Sequence, residues 1–504
     1  MFLAIAAGIA GVGILLRWWA LRSPLGFLNA DEAYTGLQAA RILDGDIPIV
    51  MRGFGYTATL ESYVLAPVVA VVGHSVTLLK ASQSLWWTIA ALAIGAAGAV
   101  ATGRRWAGVV AGALVWVGCG PILEVSLRAY PGYGTGYAAV AVTLWLALLS
   151  VAAGDDAPWT PRTRHLLLGA AAGLALYSHP MFVAMVAPTL LVTTLRHRRD
   201  LREYWAPTAI GGLVVNLPFL AWNVRNSWPS LTQPSPEIDP YMTRFGRFFS
   251  GLLPRAAGMR TPDGSWVLGV WPSLAVLVVL LVLIIVGARR LWRRDRWIAA
   301  VLLVPAVVGW PLLAGFSNMW WVADARYAII LLPVLFVLLA AGLAPTRPKV
   351  ATGASVGWAA ASAVVVAVTV LPWMLDRARP VSGDANATTS AIVDLLDAAE
   401  VSHITGNFWL TNPVEYVSDL RIRAGVAGHP WGALFDWNPG RPYGVRFTDT
   451  QTAVMASDPT DRAYVFLPGD QFLPADQWEG VLALPAERYT RHDLPGAVLY
   501  VPDR

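Results

Sequence analysis

The stretch Asn29-Ala30-Asp31-Glu32-Ala33-Tyr34-Thr35-Gly36-Leu37-Gln38-Ala39-Ala40-Arg41-Ile42-Leu43-Asp44-Gly45-Asp46 follows an apolar run at 2–19 and decides how this chain is read. Ala33, Leu37, Ala40 and Leu43 share one helical face, so the spacing predicts a helix ending at Leu43 with Gly45 as its C-cap. Asp31 and Glu32 fall in its first turn. Asn29 followed three residues later by Glu32 has the pattern of a capping box, and first-turn carboxylates complement the helix dipole. Alternatively Asp31, set at the lipid-water boundary directly after an apolar run, is placed to act as a general base on a hydroxyl. Spacing alone does not separate the two readings.

The rest of the chain supplies the setting. Of 504 residues, 56% are hydrophobic and only 14% charged, which excludes an ordinary soluble globular protein. Runs long enough to cross a hydrocarbon core, which takes roughly 20 residues, recur as far as residue 374. They predict eleven spans, at 2–19, 78–101, 107–123, 135–153, 166–178, 181–195, 206–222, 266–288, 297–316, 327–343 and 351–374. No basic stretch precedes the first run, and Arg17, Trp18 and Trp19 close it like an interfacial anchor, so it reads as an uncleaved span rather than a signal peptide.

One run, 60–73, is short and contains Glu61 and Pro67. With it excluded, Arg104, Arg105, Arg162, Arg164, the cluster from Arg196 to Arg202, the run from Arg289 to Arg296, and Arg347 with Lys349 all fall on one side, in short loops. The positive-inside rule assigns that side to the cytoplasm. Loops 20–77, 124–134, 223–265 and 317–326 are then external, and 60–73 becomes a helix lying along the outer membrane surface. The expected protein is a multi-pass plasma-membrane protein with a cytoplasmic N-terminus. Its net charge of +5 is a topology signal, not a nucleic-acid-binding surface. A single cysteine, Cys119, excludes an intrachain disulfide framework or a Cys metal cluster.

Residues 1–375 are therefore expected to form the membrane domain, with juxtamembrane helices in loop 20–77, and 376–504 a soluble extracytoplasmic domain. Helical spacing over 390–400, with Thr388 or Thr389 as cap, and strand-like runs at 463–467 and 497–501 predict a small α/β layer there. Without a Gly-rich phosphate loop or nucleophile motif, that layer is assigned to acceptor binding or stability.

Asp31-Glu32-Ala33, followed by Ala40-Arg41 and Gly45-Asp46, resembles the first-loop signature of membrane glycosyltransferases that use polyprenyl-phosphate sugars. These form the GT-C superfamily, which includes the protein O-mannosyltransferases of glycosyltransferase family 39 and the aminoarabinose transferase of lipid A. The segment Tyr56 to Pro67, with Leu60-Glu61-Ser62-Tyr63, is similar to that family's next juxtamembrane helix. Where several members carry Pro-Pro-Leu this chain has Ala58-Thr59-Leu60, the departure of a divergent bacterial member. Softer resemblances are Arg128 to Gly134, Leu217-Pro218 with Asn223, and Arg326-Tyr327 through Pro333.

The resemblance implies an all-α polytopic membrane domain of about eleven transmembrane helices with a small extracytoplasmic α/β domain. It implies inverting transfer of a hexosyl or pentosyl group from a polyprenyl-phosphate sugar to a hydroxyl of a cell-envelope glycan, lipid or protein. Asp31 would be the base, and Glu32, Glu61, Arg128, Arg326, Tyr56 and Tyr327 the substrate-binding residues. Arg suits the departing phosphate because its planar fork pairs two oxygens at once. Arg52 and Arg225 rank below Arg128 and Arg326. The blander readings are a cap for Glu32, a helix-start carboxylate for Glu61, a turn residue for His179, and an interfacial snorkelling side chain for each Arg.

Asp31, Glu32 and Glu61 are compatible with a divalent cation, without a fixed spacing that shows one. No other cofactor is expected. The alternative class is a transporter or lipid flippase, against which stand spans poor in acidic groups and no inverted repeat with broken helices.

Overall fold

The computed structural model of this chain describes residues 2–52, 55–118, 120–152, 158–232, 239–261, 263–316, 325–343, 385–426, 448–467 and 488–503, with Gly353 and Gly357. The N-terminal part is helical: α1 Phe2–Leu21, α2 Ala30–Leu43, α3 Leu60–Val72, α4 Val76–Thr102, α5 Arg105–Trp116, α6 Gly120–Val125, α7 Tyr133–Ala152, α8 Pro161–Ser178, α9 Val183–Arg196 and α10 Ala206–Arg225. Three short helices follow, α11 Pro229–Thr232, α12 Tyr241–Arg247 and α13 Leu253–Ala256, then α14 Val270–Arg294, α15 Arg296–Ala314 and α16 Leu332–Leu343. Ten of the eleven expected spans carry helix. Among the described residues, six helical segments are long and apolar enough to cross a membrane. The eleventh expected span, 351–374, and Cys119 lie outside the described residues.

Glycine explains how these helices approach one another. A Cβ on Gly108 of α5 would stand 2.5 Å from Gly95 O of α4, and one on Gly169 of α8 would stand 1.9 Å from Thr208 O of α10. Gly287 of α14 and Gly342 of α16 meet the same limit, at 1.9 Å from Leu338 O and 2.2 Å from Leu283 O. In lipid, where apolar side chains gain little by leaving one solvent for a similar one, such close backbone contact supplies the packing attraction. Tyr133–Ala152 and Arg326–Leu343 are 83% buried over their most apolar stretches and form the centre. Leu201–Arg225 and Val270–Arg294, at 6% and 11%, form the periphery and turn apolar side chains outward.

The C-terminal part contains α17 Ala387–Ala398, α18 Phe408–Val417, α19 Thr448–Ala456 and five strands, β1 His403–Gly406, β2 Arg423–Val426, β3 Ala463–Phe466, β4 Tyr489–Leu494 and β5 Ala497–Pro502. The strands form one sheet in the order β2-β1-β3-β5-β4. β2, β1 and β3 run parallel, and β5 pairs antiparallel with β3 and β4. β3 and β5 are buried along their whole length, the pattern of strands covered on both faces. The expected α/β layer is present. Asn386 rather than Thr388 or Thr389 stands at the N-cap position of its first helix, without a side-chain cap bond, and Thr388 Oγ1 instead donates to Pro495 O at 2.8 Å. The domain boundary expected near residue 375 lies outside the described residues.

This sheet unit seats on α2. The fully buried Tyr416 ring of α18 fills the space a side chain at Gly36 would take, with ring atom Cε2 2.2 Å from that hypothetical Cβ. Asn386 Oδ1 accepts from Leu28 N at 2.8 Å, and Arg41 Nη2 donates to Thr450 Oγ1 at 2.6 Å. Next to Tyr416, Glu415 is buried, and burial pushes its carboxyl up to about 7 against the pull of Arg423 and Arg41.

Gly36→Leu should force overpacking of about 1–3 kcal/mol at this seat. The checks are a lower melting temperature and earlier proteolytic release of the C-terminal unit, while Gly8→Leu, where a Cβ meets nothing within 4 Å, should do neither. A raised carboxyl stabilises the folded state fully below its ordinary value near 4.5, and that contribution is lost as pH rises through about 7. The melting temperature of the full chain should therefore fall between about pH 4.5 and 7, and Glu415→Gln should remove part of that fall, the rest belonging to Glu61, whose carboxyl is also raised to about 7; an unchanged pH profile in that variant would exclude Glu415 as a source.

Candidate active site

Adjacent residues in a helix point about 100° apart, and that offset separates the roles of Asp31 and Glu32. Asn29 caps α2: its Oδ1 accepts from Asp31 N at 2.7 Å and Glu32 N at 3.3 Å, while Glu32 Oε2 accepts from Asn29 N at 3.2 Å. The capping box read from the sequence is thus formed. Glu32 is completely buried and does more than cap. Lys80 Nζ of α4 lies 2.7 Å from Oε1, Arg128 Nη1 lies 2.9 Å from Oε2, and Ala129 N donates to Oε1 at 3.1 Å. Burial opposes ionisation of Glu32, but Lys80 and Arg128 outweigh it and hold the carboxyl below its ordinary value.

Asp31 turns the other way, toward Arg326. The two side chains approach to 3.9 Å, and each keeps about 15% of its surface exposed (15% and 14%). The guanidinium lies 4.2 Å from the ring centre of Tyr130, 5.0 Å from that of Tyr327 and 5.3 Å from that of Tyr133, and donates to Tyr327 Oη at 3.0 Å. Tyrosine faces attract the cation and limit where it can swing. Behind them, His179 packs against Tyr133 at 5.1 Å and edge-on to Tyr56 at 5.4 Å. His179 Nδ1 accepts from Met181 N, and burial followed by the Arg326 charge pushes the imidazole down to about 3, so it is neutral near pH 7.

Glu61 shapes the same wall from behind. It is buried in the first turn of α3, where Oε2 accepts from Gly132 N at 3.0 Å and Oε1 from Thr135 N at 2.8 Å and Thr135 Oγ1 at 3.1 Å. Burial raises its carboxyl to about 7, against these donors, which favour the ionised form. Glu61 therefore grips the loop that carries Tyr130 and Tyr133.

The expected residues divide accordingly. Asp31, Arg326, Tyr327 and, through His179 and Tyr133, Tyr56 belong to one cluster of side chains. Glu32, Arg128 and Glu61 stand beneath it, bonded to protein groups. Arg52 pairs with Asp46 at 2.8 Å, away from Asp31, and Arg225 is exposed at the end of α10. Among the described residues no group of three or more His, Cys, Asp or Glu side chains is placed to hold a metal, so the carboxylate trio does not assemble into a cation site. Sequence reasoning passed over Lys80, Tyr130 and Tyr133. A lone lysine at the head of an apolar run was the available signal, since a buried ammonium requires a counter-charge.

This architecture is a fold of the GT-C type. The chain is similar over 98% of its length, and 97% of theirs, to two structures of ArnT from Cupriavidus metallidurans. One is bound to undecaprenyl phosphate (TM-score 0.61) and one is in the apo state (TM-score 0.63), each at 13% sequence identity. It is also similar to AglB, the oligosaccharyltransferase of Archaeoglobus fulgidus, in complex with an inhibitory peptide and a dolichol-phosphate. There the TM-score is 0.50 at 13% identity, over 100% of this chain and 74% of that one. No protein-family model and no curated protein matches the sequence.

Glu32→Gln strands two buried cations, whereas Lys80→Met leaves a balanced Glu32–Arg128 pair. The first should cost about 3–5 kcal/mol, the scale for breaking a buried pair, and the second distinctly less. Denaturation of the two purified variants measures the order, which equal losses would contradict.

Proposed function

We propose that this protein is an inverting glycosyltransferase that moves a sugar from a polyprenyl-phosphate donor to a hydroxyl acceptor at the external face of the plasma membrane. The observation that carries the reading is the Asp31–Arg326 pair, a carboxylate and a guanidinium 3.9 Å apart, partly exposed, with tyrosine rings around the guanidinium. It is supported by a fold similar to that of ArnT bound to undecaprenyl phosphate and of AglB in complex with a dolichol-phosphate.

In this mechanism Asp31 takes the proton of the acceptor hydroxyl as its oxygen attacks the anomeric carbon from the face opposite the donor phosphate. The bond from that carbon to the phosphate oxygen breaks, and polyprenyl phosphate leaves with the electron pair. Donor binding draws Arg326 off Asp31 toward the phosphate on the opposite face of the sugar, where its two-pronged geometry meets the charge that develops on the leaving group. Tyr327 holds the guanidinium through its hydroxyl, and Tyr56, Tyr130 and Tyr133 offer ring faces against which a sugar can lie. Glu32, Lys80 and Arg128 keep α2 and the 128–135 loop in register, so that base and cation face the same space.

Asp31→Asn should lower transfer by about 100-fold or more, within the range for loss of a general base, and leave folding intact. Arg326→Ala should cost about 100–1000-fold in kcat, with Arg326→Lys partly restoring it. Transfer of radiolabelled sugar from lipid-linked donor by the purified protein measures both. Parental rates in Asp31→Asn would overturn the assignment of the base, and donor-independent flux without glycosylated product would point to a transporter.

A further inference from the structure

A second cavity lies apart from the Asp31 cleft, at the seam where the C-terminal sheet unit meets α2. It encloses about 620 Å³, within the range of roughly 300–1,000 Å³ usual for small-molecule sites. One wall is the last turns of α2 and the turn after it, with Arg41, Asp44 and Asp46. The other comes from α18, β2 and α19, with Glu415, Arg423 and Ala453. Arg41 and Thr450 close one side by their hydrogen bond, Arg52 and Asp46 form another edge, and Arg423 lies 3.6 Å from Glu415.

The lining selects among ligand chemistries. It carries three guanidinium groups and three carboxylates, so its formal charges cancel. An anion such as a phosphate would meet the carboxylates, a metal ion would meet the guanidinium groups, and a lipid tail would find charge where it needs apolar surface. A sugar hydroxyl both donates and accepts, and vicinal hydroxyls match a wall on which guanidinium donors alternate with carboxylate acceptors. Leu37 and Leu420 add apolar surface for the C–H face of a ring. From Asp31 to Arg41 the helix rises about 15 Å, further than a single sugar ring reaches.

We propose that the seam cavity is a saccharide subsite, holding sugars of an acceptor glycan that lie several rings away from the hydroxyl to be glycosylated. This rests on the glycosyltransferase reading and narrows the acceptor to an oligosaccharide. The C-terminal unit then contributes binding energy from a part of the acceptor that does not react, which positions the reacting hydroxyl at Asp31. The subsite is complete only while the sheet unit is seated on α2, because each partner supplies one wall.

The test uses the full chain in nanodiscs and fluorescein-labelled linear neutral oligosaccharides of two to six mannose, glucose, galactose or N-acetylglucosamine units, read by fluorescence polarisation. At least one series should bind with affinity that rises with length. Arg423→Ala, which removes a half-exposed donor, and Ala453→Trp, which fills the cavity from an exposed helix position, should each weaken it by roughly tenfold. Failure of every series to bind, or equal binding by Ala453→Trp, overturns the subsite. Binding that both variants lose, in a protein that forms no product from lipid-linked donor, keeps the subsite and removes the transferase reading. Product formation with an acceptor KM unmoved by both variants does the reverse.

Discussion

A completely buried carboxylate, Glu32, accepts hydrogen bonds from an ammonium, a guanidinium and two backbone N–H groups at once. A buried ion is tolerated only when its partners repay the loss of water, and here the partners come from three separate parts of the chain: α4 through Lys80, the 128–129 turn through Arg128 and Ala129, and the start of α2 through Asn29. None of these can shift without stranding charge. The arrangement fixes the direction in which α2 leaves its first turn, and so fixes where Asp31 points.

Glu61 does a similar task one helix later. Its two oxygens hold Gly132 and Thr135, which bracket Tyr133, and they hold the loop against α3 rather than reach into the cleft. Two carboxylates that the sequence offers as ligands are thus spent on positioning, and the ring faces around Arg326 owe their placement to them. The opposite end of α2 is fixed by packing rather than charge. Tyr416 occupies the notch at Gly36, and the C-terminal sheet unit is carried against the helix that bears Asp31.

Much of the architecture was legible because lipid imposes simple rules on a chain. Apolar runs and basic loops located ten of the helices to within a few residues, and residues 60–73, demoted on charge bias, form the separate helix that packs on α2. The Asn29 cap and Glu32 at the third helical position were readable as a capping box because capping is local. Asp31 and Arg326 were each nameable from a motif, yet their meeting was not, since they lie almost three hundred residues apart in the chain.

The sequence by itself determined the class of fold, the helix α2, its cap and the residue types available for chemistry. Those properties depend on composition and on contacts within one turn. Tertiary structure decided which of the available charges face the cleft. Glu32 and Arg128 stood beside Asp31 and Arg326 as expected substrate-binding residues, and in the structure Glu32 is buried between Lys80 of α4 and Arg128. The reason is physical: a charge stays buried where opposite charge converges on it, and that convergence belongs to the packing of helices rather than to any single segment.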